Sequence, residues 1–146
     1  MRLDIYQIDS FTDIKFKGNP ACVVPLENWL PDEILLSVAK ENAVAETAFF
    51  IKKNKNFHLR WFTPEIEMDL CGHATLAAAH CLKEILYYKN DKIIFETLSG
   101  ELTVTFENDY YLMDLPSRMP FSSELPKVIL QALNILPKEV YKSRDY

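Results

Sequence analysis

The chain has 146 residues, 49% apolar and 25% charged, with a net charge of −5 at neutral pH. That length suits one domain over residues 1–146, and that balance belongs to a globular protein, which sets disorder aside. The acidic excess leaves no cationic footprint for nucleic acid or an anionic membrane, so neither is expected as a partner.

Cys22, Cys71 and Cys81 are odd in number and lack a C-x-x-C spacing, which fits a reduced, cytoplasmic setting. No apolar run approaches the ~18 residues of a spanning helix, and Met1 to Asp4 lead straight into a patterned segment without a signal-peptide core.

Alternation of Leu3 and Ile5 with polar residues predicts a strand over residues 2–9. A turn around Gly18 and Asn19 then leads into a short strand at 21–25. Pro31 followed by acidic residues opens a helix over 31–41, where both suit a first turn. Residues 46–52 and 57–62 pattern as a hairpin across a polar turn.

The run from Phe62 to His80 is the most telling. It joins an acidic loop to a Cys-Gly-His turn, and then to a helix that is apolar on nearly every side from Ala74 to Leu82. Such a helix has to be buried. Its first turn nonetheless carries a thiol, a glycine and an imidazole beside backbone N–H groups that have no partner within the helix, a place suited to an anion. Beyond it, β-patterned runs at 92–98, 100–107 and 110–115 form a meander, and a last helix is expected over 127–136, before Pro137. The pattern is α+β with about seven strands around one enclosed helix.

Glu46 is the one charge in a mostly apolar stretch of ten residues. A carboxyl in apolar surroundings suits proton transfer, although an outward-facing strand carboxylate is the commoner arrangement. His73, one residue past Gly72, is placed either to meet a ligand or simply to bond nearby backbone. Cys71 reads as a base activated by the helix end or as a small, inert core residue. Asn19 either turns its amide toward a ligand or only builds its turn. Among the acidic residues Glu65, Glu67 and Asp69, a solvated loop is the simple reading, with Glu67 or Asp69 the alternative partner for His73. A metal centre made of Cys71, His73, His80 and Cys81 is rejected, because His73 and His80 would stand about 10 Å apart along a helix.

Taken together, Gly18-Asn-Pro-Ala21, Ala45-Glu-Thr-Ala-Phe49, Arg60-Trp-Phe-Thr-Pro64, Leu70-Cys-Gly-His-Ala-Thr75 and Ser99-Gly-Glu-Leu102 resemble the phenazine biosynthesis PhzF family of isomerases. Their order and spacing match the first half of such proteins across essentially all of the chain. The resemblance implies a diaminopimelate epimerase-like fold: two similar halves, each wrapping a mixed or antiparallel sheet around a central helix, with the active site between them.

It also implies roles. Glu46 matches the family's acid/base glutamate and His73 a histidine of the site. The two would move a proton on a small carboxylate-bearing substrate without a cofactor or metal, with Asn19, Cys71, Gly72, Ala74 and Thr75 as substrate-binding neighbours. Cys71 falls where the epimerase branch places a cysteine base, but His73 stands where those epimerases have asparagine, so Glu46 is favoured. The family's second half supplies a glycine-rich, aspartate-containing part of the site. The chain is therefore expected either to be truncated near the junction of the halves or to work as an assembly of copies, with a homodimer expected. A non-catalytic half that dimerises or binds a small acid is the main rival. A hot-dog thioesterase, which also wraps a sheet around a helix, is the third reading.

Overall fold

Four alanines within the nine residues Gly72–His80 give helix α2 no polar face and little bulk, so a sheet can close tightly around it. In the computed structural model, which describes residues 2–143, the sheet does so. β1 (Tyr6–Ser10), β2 (Asn19–Leu26), β3 (Glu46–Lys53), β4 (Asn56–Phe62), β5 (Glu67–Met68), β6 (Lys92–Thr97), β7 (Gly100–Glu107) and β8 (Tyr110–Asp114) form one eight-stranded sheet. Its order is β1-β2-β3-β4-β6-β7-β8, with β5 paired to β4. Neighbours are antiparallel except β2 with β3 and β4 with β6, which are parallel.

Burial shows the wrapping directly. Ala21 and Val23 of β2, Ala48 and Phe50 of β3, Leu59 and Trp61 of β4, Phe95 of β6 and Val104 of β7 share one core with Ala74, Ala77 and Ala78 of α2. The two outermost strands, β1 and β8, are not paired with each other, and the apolar side chains they lend to this core, including Ile8 and Met113, are only partly buried. On the opposite face of the sheet, helix α1 (Asp32–Asn42) packs Leu35 and Ala39 against Val24, Phe49 and Phe62 in a second core.

Strand alternation therefore sorts β3 in a way that matters for the site. Thr47 and Phe49 face α1, whereas Glu46, Ala48 and Phe50 face α2.

Helix α2 does not end where its α-hydrogen bonding ends. A π-helical turn (Cys81–Ile85) follows, with the Leu86 N–H donating to Cys81 O at 2.9 Å. The helix read from apolar residues alone spans this change of winding, since Cys81 and Leu82 stay in the core whichever winding is used.

The sequence reading takes 1–146 as one domain, while the contacts group into two units, one up to Leu115 and one from Pro116. The second unit holds β9 (Phe121–Ser122) paired with β10 (Tyr141–Lys142), and helix α3 (Lys127–Leu133). Helix α3 is shorter than the expected 127–136. Asn134 adopts a left-handed φ of 51° and its N–H closes onto Leu130 O, which stops the helix well before Pro137. The short pairs β5, β9 and β10 have two residues each and leave no periodicity to read.

Gly18 shapes the turn between β1 and β2. Its φ is +88°, and a Cβ there would lie 2.3 Å from the Ser10 carbonyl oxygen. Gly100 has a similar φ of +96° but open space around it. Gly18→Ala is therefore expected to cost about 2 kcal/mol or more and Gly100→Ala only about 1 kcal/mol. Urea midpoints of the two variants check the order, and equal losses would contradict the close approach at Gly18.

Candidate active site

The start of α2 and the start of β3 meet through local chain geometry. Helix α1 ends when Ala43 turns left-handed, and Asn42 Nδ2 donates to Thr47 Oγ1 at 3.1 Å, which ties the helix end to the strand. That turn delivers Glu46 as the first residue of β3, on the α2 side and in register with Ala21 of β2. Asn19, two residues before Ala21, shares its face and pairs with Ser10 of β1.

At the helix, Cys71 is the residue before the first turn, in extended conformation, and Gly72 and His73 follow. Nε2 of His73 stands 3.2 Å from Oε2 of Glu46, with the side chains 10% and 17% exposed. The pair is close without being aligned as a hydrogen bond, and among the described residues neither atom has another protein partner. Two proton-carrying groups thus face each other at the N-terminus of a buried helix.

The histidine is held from behind. Ser10 Oγ donates to the His73 carbonyl at 2.6 Å. Cys71 Sγ lies 3.5 Å from His73 Nδ1. Thr75 Oγ1 donates to Cys71 O at 2.5 Å, and the Thr75 N–H reaches the same carbonyl at 3.3 Å.

Several sequence expectations change here. Thr75 is fully enclosed, and its hydroxyl and its N–H both reach Cys71 O, which braces the helix start. Ala74 is also fully buried, which leaves only its backbone as a possible contact. Gly72 and Asn19 are partly exposed. Glu67 does not orient His73: both its oxygens take hydrogen bonds from Arg60 at 2.7 Å, and Arg60 also reaches Asp32 at 2.9 Å. The Asp69 carbonyl accepts from Ser99 Oγ at 2.7 Å. Sequence reasoning missed Ser10, because a single serine at a strand end carries no distinguishing pattern.

Burial pushes the Cys71 thiol up to about 12; the Ala74 backbone N–H pulls the other way, and the charge of Glu46 adds to the rise. A thiolate base is therefore disfavoured, which corrects the reading of Cys71 as a thiol activated by the helix end.

Glu46, Cys71 and His73 also form a group of possible metal ligands, one atom of each lying within 4.8 Å of the others. The closest contacts use different ring nitrogens, Nδ1 toward sulfur and Nε2 toward the carboxylate.

A cavity of about 570 Å³ lies beside this site, lined by residues that include Gln7, Ser10, Leu76, His80 and Tyr111. Neither Glu46 nor His73 lines it. Ser10 lines it and also bonds the His73 carbonyl.

The sequence profile of the phenazine biosynthesis-like proteins, PhzC-PhzF, matches residues 8–128. The chain belongs to this family. An uncharacterized isomerase of Pseudomonas aeruginosa is 47% identical over 146 residues, which cover all of this chain and 56% of that protein. The crystal structure of a PhzF-family protein from Enterococcus faecalis superposes with a TM-score of 0.85 at 41% identity, covering 97% of this chain and 54% of the other. A predicted epimerase of Pseudomonas aeruginosa shares the fold, with a TM-score of 0.64 at 23% identity over 76% of this chain and 41% of its own. The chain spans about half the length of the curated relatives it matches. The α+β class, with a curled mixed sheet around a central helix, is the fold that the PhzF resemblance implies. No helix among the described residues is long and apolar enough to cross a membrane.

Burial raises the thiols of this PhzF-family chain, Cys71 and Cys81 each to about 12 from an ordinary 9.0. Between those values the unfolded chain releases protons that the folded chain keeps, so stability falls as pH rises through that window. Urea unfolding at steps from pH 8 to pH 10.5 should show this loss, with a shallower slope in Cys81→Ala. A flat profile in the wild type would contradict the burial of both thiols.

Proposed function

We propose that the chain carries the proton-transfer part of a PhzF-like isomerase or epimerase acting on a small carboxylate-bearing substrate without a cofactor. One observation carries the reading: the buried atoms Glu46 Oε2 and His73 Nε2 face each other at 3.2 Å at the start of the enclosed helix.

In this proposal the substrate carboxylate sits over the N-terminus of the helix at Gly72, where the helix dipole favours negative charge. Glu46 takes the proton from the carbon next to that carboxylate. The C–H electron pair moves into the carboxylate, and the resulting charge is met by the helix N–H groups and by His73. Return of the proton to the other face, or to a conjugated carbon, completes an epimerisation or an isomerisation. Both outcomes conserve atoms and electrons, so no redox partner is required. In the proposal Asn19, which pairs with Ser10 and shares a face with Ala21, contacts the distal part of the substrate.

The proposal also has the site completed by a second half or by a second copy of the chain. Large apolar side chains left in water support association, including Phe11, Ile14 and Phe16 on the loop after β1, the last 95% exposed. Sedimentation at micromolar concentration is expected to report a dimer, and a strictly monomeric chain would remove the second-copy version.

Deuterium uptake from heavy water into a panel of small α-amino and α-hydroxy acids tests the chemistry. Glu46→Gln should lower uptake ~100-fold or more, the upper part of the range for a lost general base. Equal uptake by both proteins would sink the role of Glu46. Absence of uptake by the wild-type chain would favour the non-catalytic reading.

A further inference from the structure

Strand β4 carries another histidine on the face away from α2. Phe57, Leu59 and Trp61 point into the core around α2, so His58, Arg60 and Phe62 face the α1 side. Trp29, in the segment that leads into α1, packs on that face and donates its indole Nε1–H to Nδ1 of His58 at 3.1 Å. The two rings meet edge to face, with centroids 5.0 Å apart and planes at 81°. The same indole lies against the Arg60 guanidinium at 5.2 Å. Trp29 thus fixes the lead into α1 to the sheet through two polar contacts, and one of them needs a bare ring nitrogen.

We propose that the hydrogen bond from Trp29 to His58 is a proton-operated latch: neutral His58 holds the segment before α1 against the sheet, and protonation of Nδ1 releases Trp29.

The direction of the bond sets the sign of the response. An indole N–H only donates, and a neutral imidazole has one N–H and one lone pair. Accepting at Nδ1 therefore places the ring proton on Nε2. A second proton can enter only at Nδ1, the atom that the indole occupies, and would set two donors against each other in a half-buried place.

Among the described residues, the carboxylates around the ring are already engaged. Glu96 of β6, in register with His58, takes Lys53 of β3 and Asn56. Glu67 of β5 is held through both oxygens by Arg60, which also reaches Asp32 of α1. Lys53 and Arg60 oppose a further positive charge. Burial, ahead of these two cations, holds the His58 imidazole below its ordinary 6.5, and the opposite pull of Glu96 and Glu67 does not reverse it. As pH falls past 6.5 the unfolded chain takes up a proton here before the folded chain does, so the contact loses its stabilising effect in mildly acid solution. Neither Glu46 nor His73 takes part, and the latch stands whether or not the site turns over a substrate.

Proton–nitrogen NMR on the uniformly 15N-labelled chain, titrated from about pH 8 to about pH 5, reads both partners across the imidazole range. At the alkaline end the long-range spectrum is expected to show His58 protonated on Nε2 and bare on Nδ1. As His58 titrates, with a midpoint below 6.5, the indole proton of Trp29 should shift upfield with the same midpoint, as a proton losing its acceptor does. The indole signal of Trp61, fully buried on the other face of the sheet, should stay in place. His58→Gln, whose side-chain carbonyl accepts without titrating, should hold the Trp29 signal constant over the whole range. A proton on Nδ1 at the alkaline end, a Trp29 signal that ignores the titration of His58, or the same acid shift in His58→Gln would each overturn the proposal. So would a Trp61 signal that moves together with that of Trp29, since both faces would then be opening at once. The wild-type titration decides the question even if the glutamine variant folds poorly.

Discussion

A helix without a polar face cannot lie on a surface, and that constraint organises the first unit of this protein. Helix α2 is built from alanines with one threonine, one leucine and a histidine at either end, so no orientation on an exposed sheet would cover it. Curling the sheet around it covers nearly all sides at once. The small side chains let strands approach closely, and the large ones come from the strands: Trp61, Leu59, Phe95 and Phe50 fill the space that the alanines leave. Helix α1 has the opposite character. It buries one stripe against the outer face, through Leu35 and Ala39, and leaves the rest in water.

Enclosing α2 has an electrostatic consequence. The first turn of any helix has N–H groups without helical acceptors, and burial removes the water that would otherwise satisfy them. The fold meets this end with polar groups from three separate elements: Ser10 from β1, Glu46 from β3, and Cys71 and Thr75 from the helix start itself. Some of these are fully committed. The hydroxyls of Ser10 and Thr75 each close a short bond to a backbone carbonyl. Glu46 Oε2 and His73 Nε2 are not so committed, which sets them apart from the two hydroxyls within one small region.

The environment of the cysteine illustrates how burial and a helix end compete. A helix N-terminus lowers a thiol pKa, and a low-dielectric interior with a nearby carboxylate raises it. At Cys71 burial outweighs the Ala74 N–H, so the thiol keeps its proton at neutral pH. Placement next to a reactive-looking turn did not make it reactive. The second acidic neighbour proposed for His73 shows a similar competition. Glu67 lies close along the chain, but Arg60, stacked on Trp29 and Phe62 at 5.2 and 5.0 Å, offers it a paired hydrogen bond that an imidazole cannot match.

Periodicity and residue type alone determined a good deal: the α+β class, the enclosed helix, the hairpin of β3 and β4, the strand at 100–107, and the prominence of Glu46 and His73. These are properties that composition carries locally, because an all-apolar helix or an alternating strand has few places to go. The motifs that resemble the PhzF family were readable for the same reason, each lying within a short stretch of chain. Other features were decided only when distant segments met. Two-residue strands such as β5 have no period of their own and exist through their partners. The π-helical turn after α2 uses residues that would be as apolar in an ordinary helix. Thr75 looks like a ligand-binding hydroxyl until the Cys71 carbonyl takes it, and Ser10 looks like nothing until it reaches His73, 63 residues away. Sequence names the groups that can hold or move a proton. Which of them remain unpaired depends on hydrogen bonds between parts of the chain that only folding brings together.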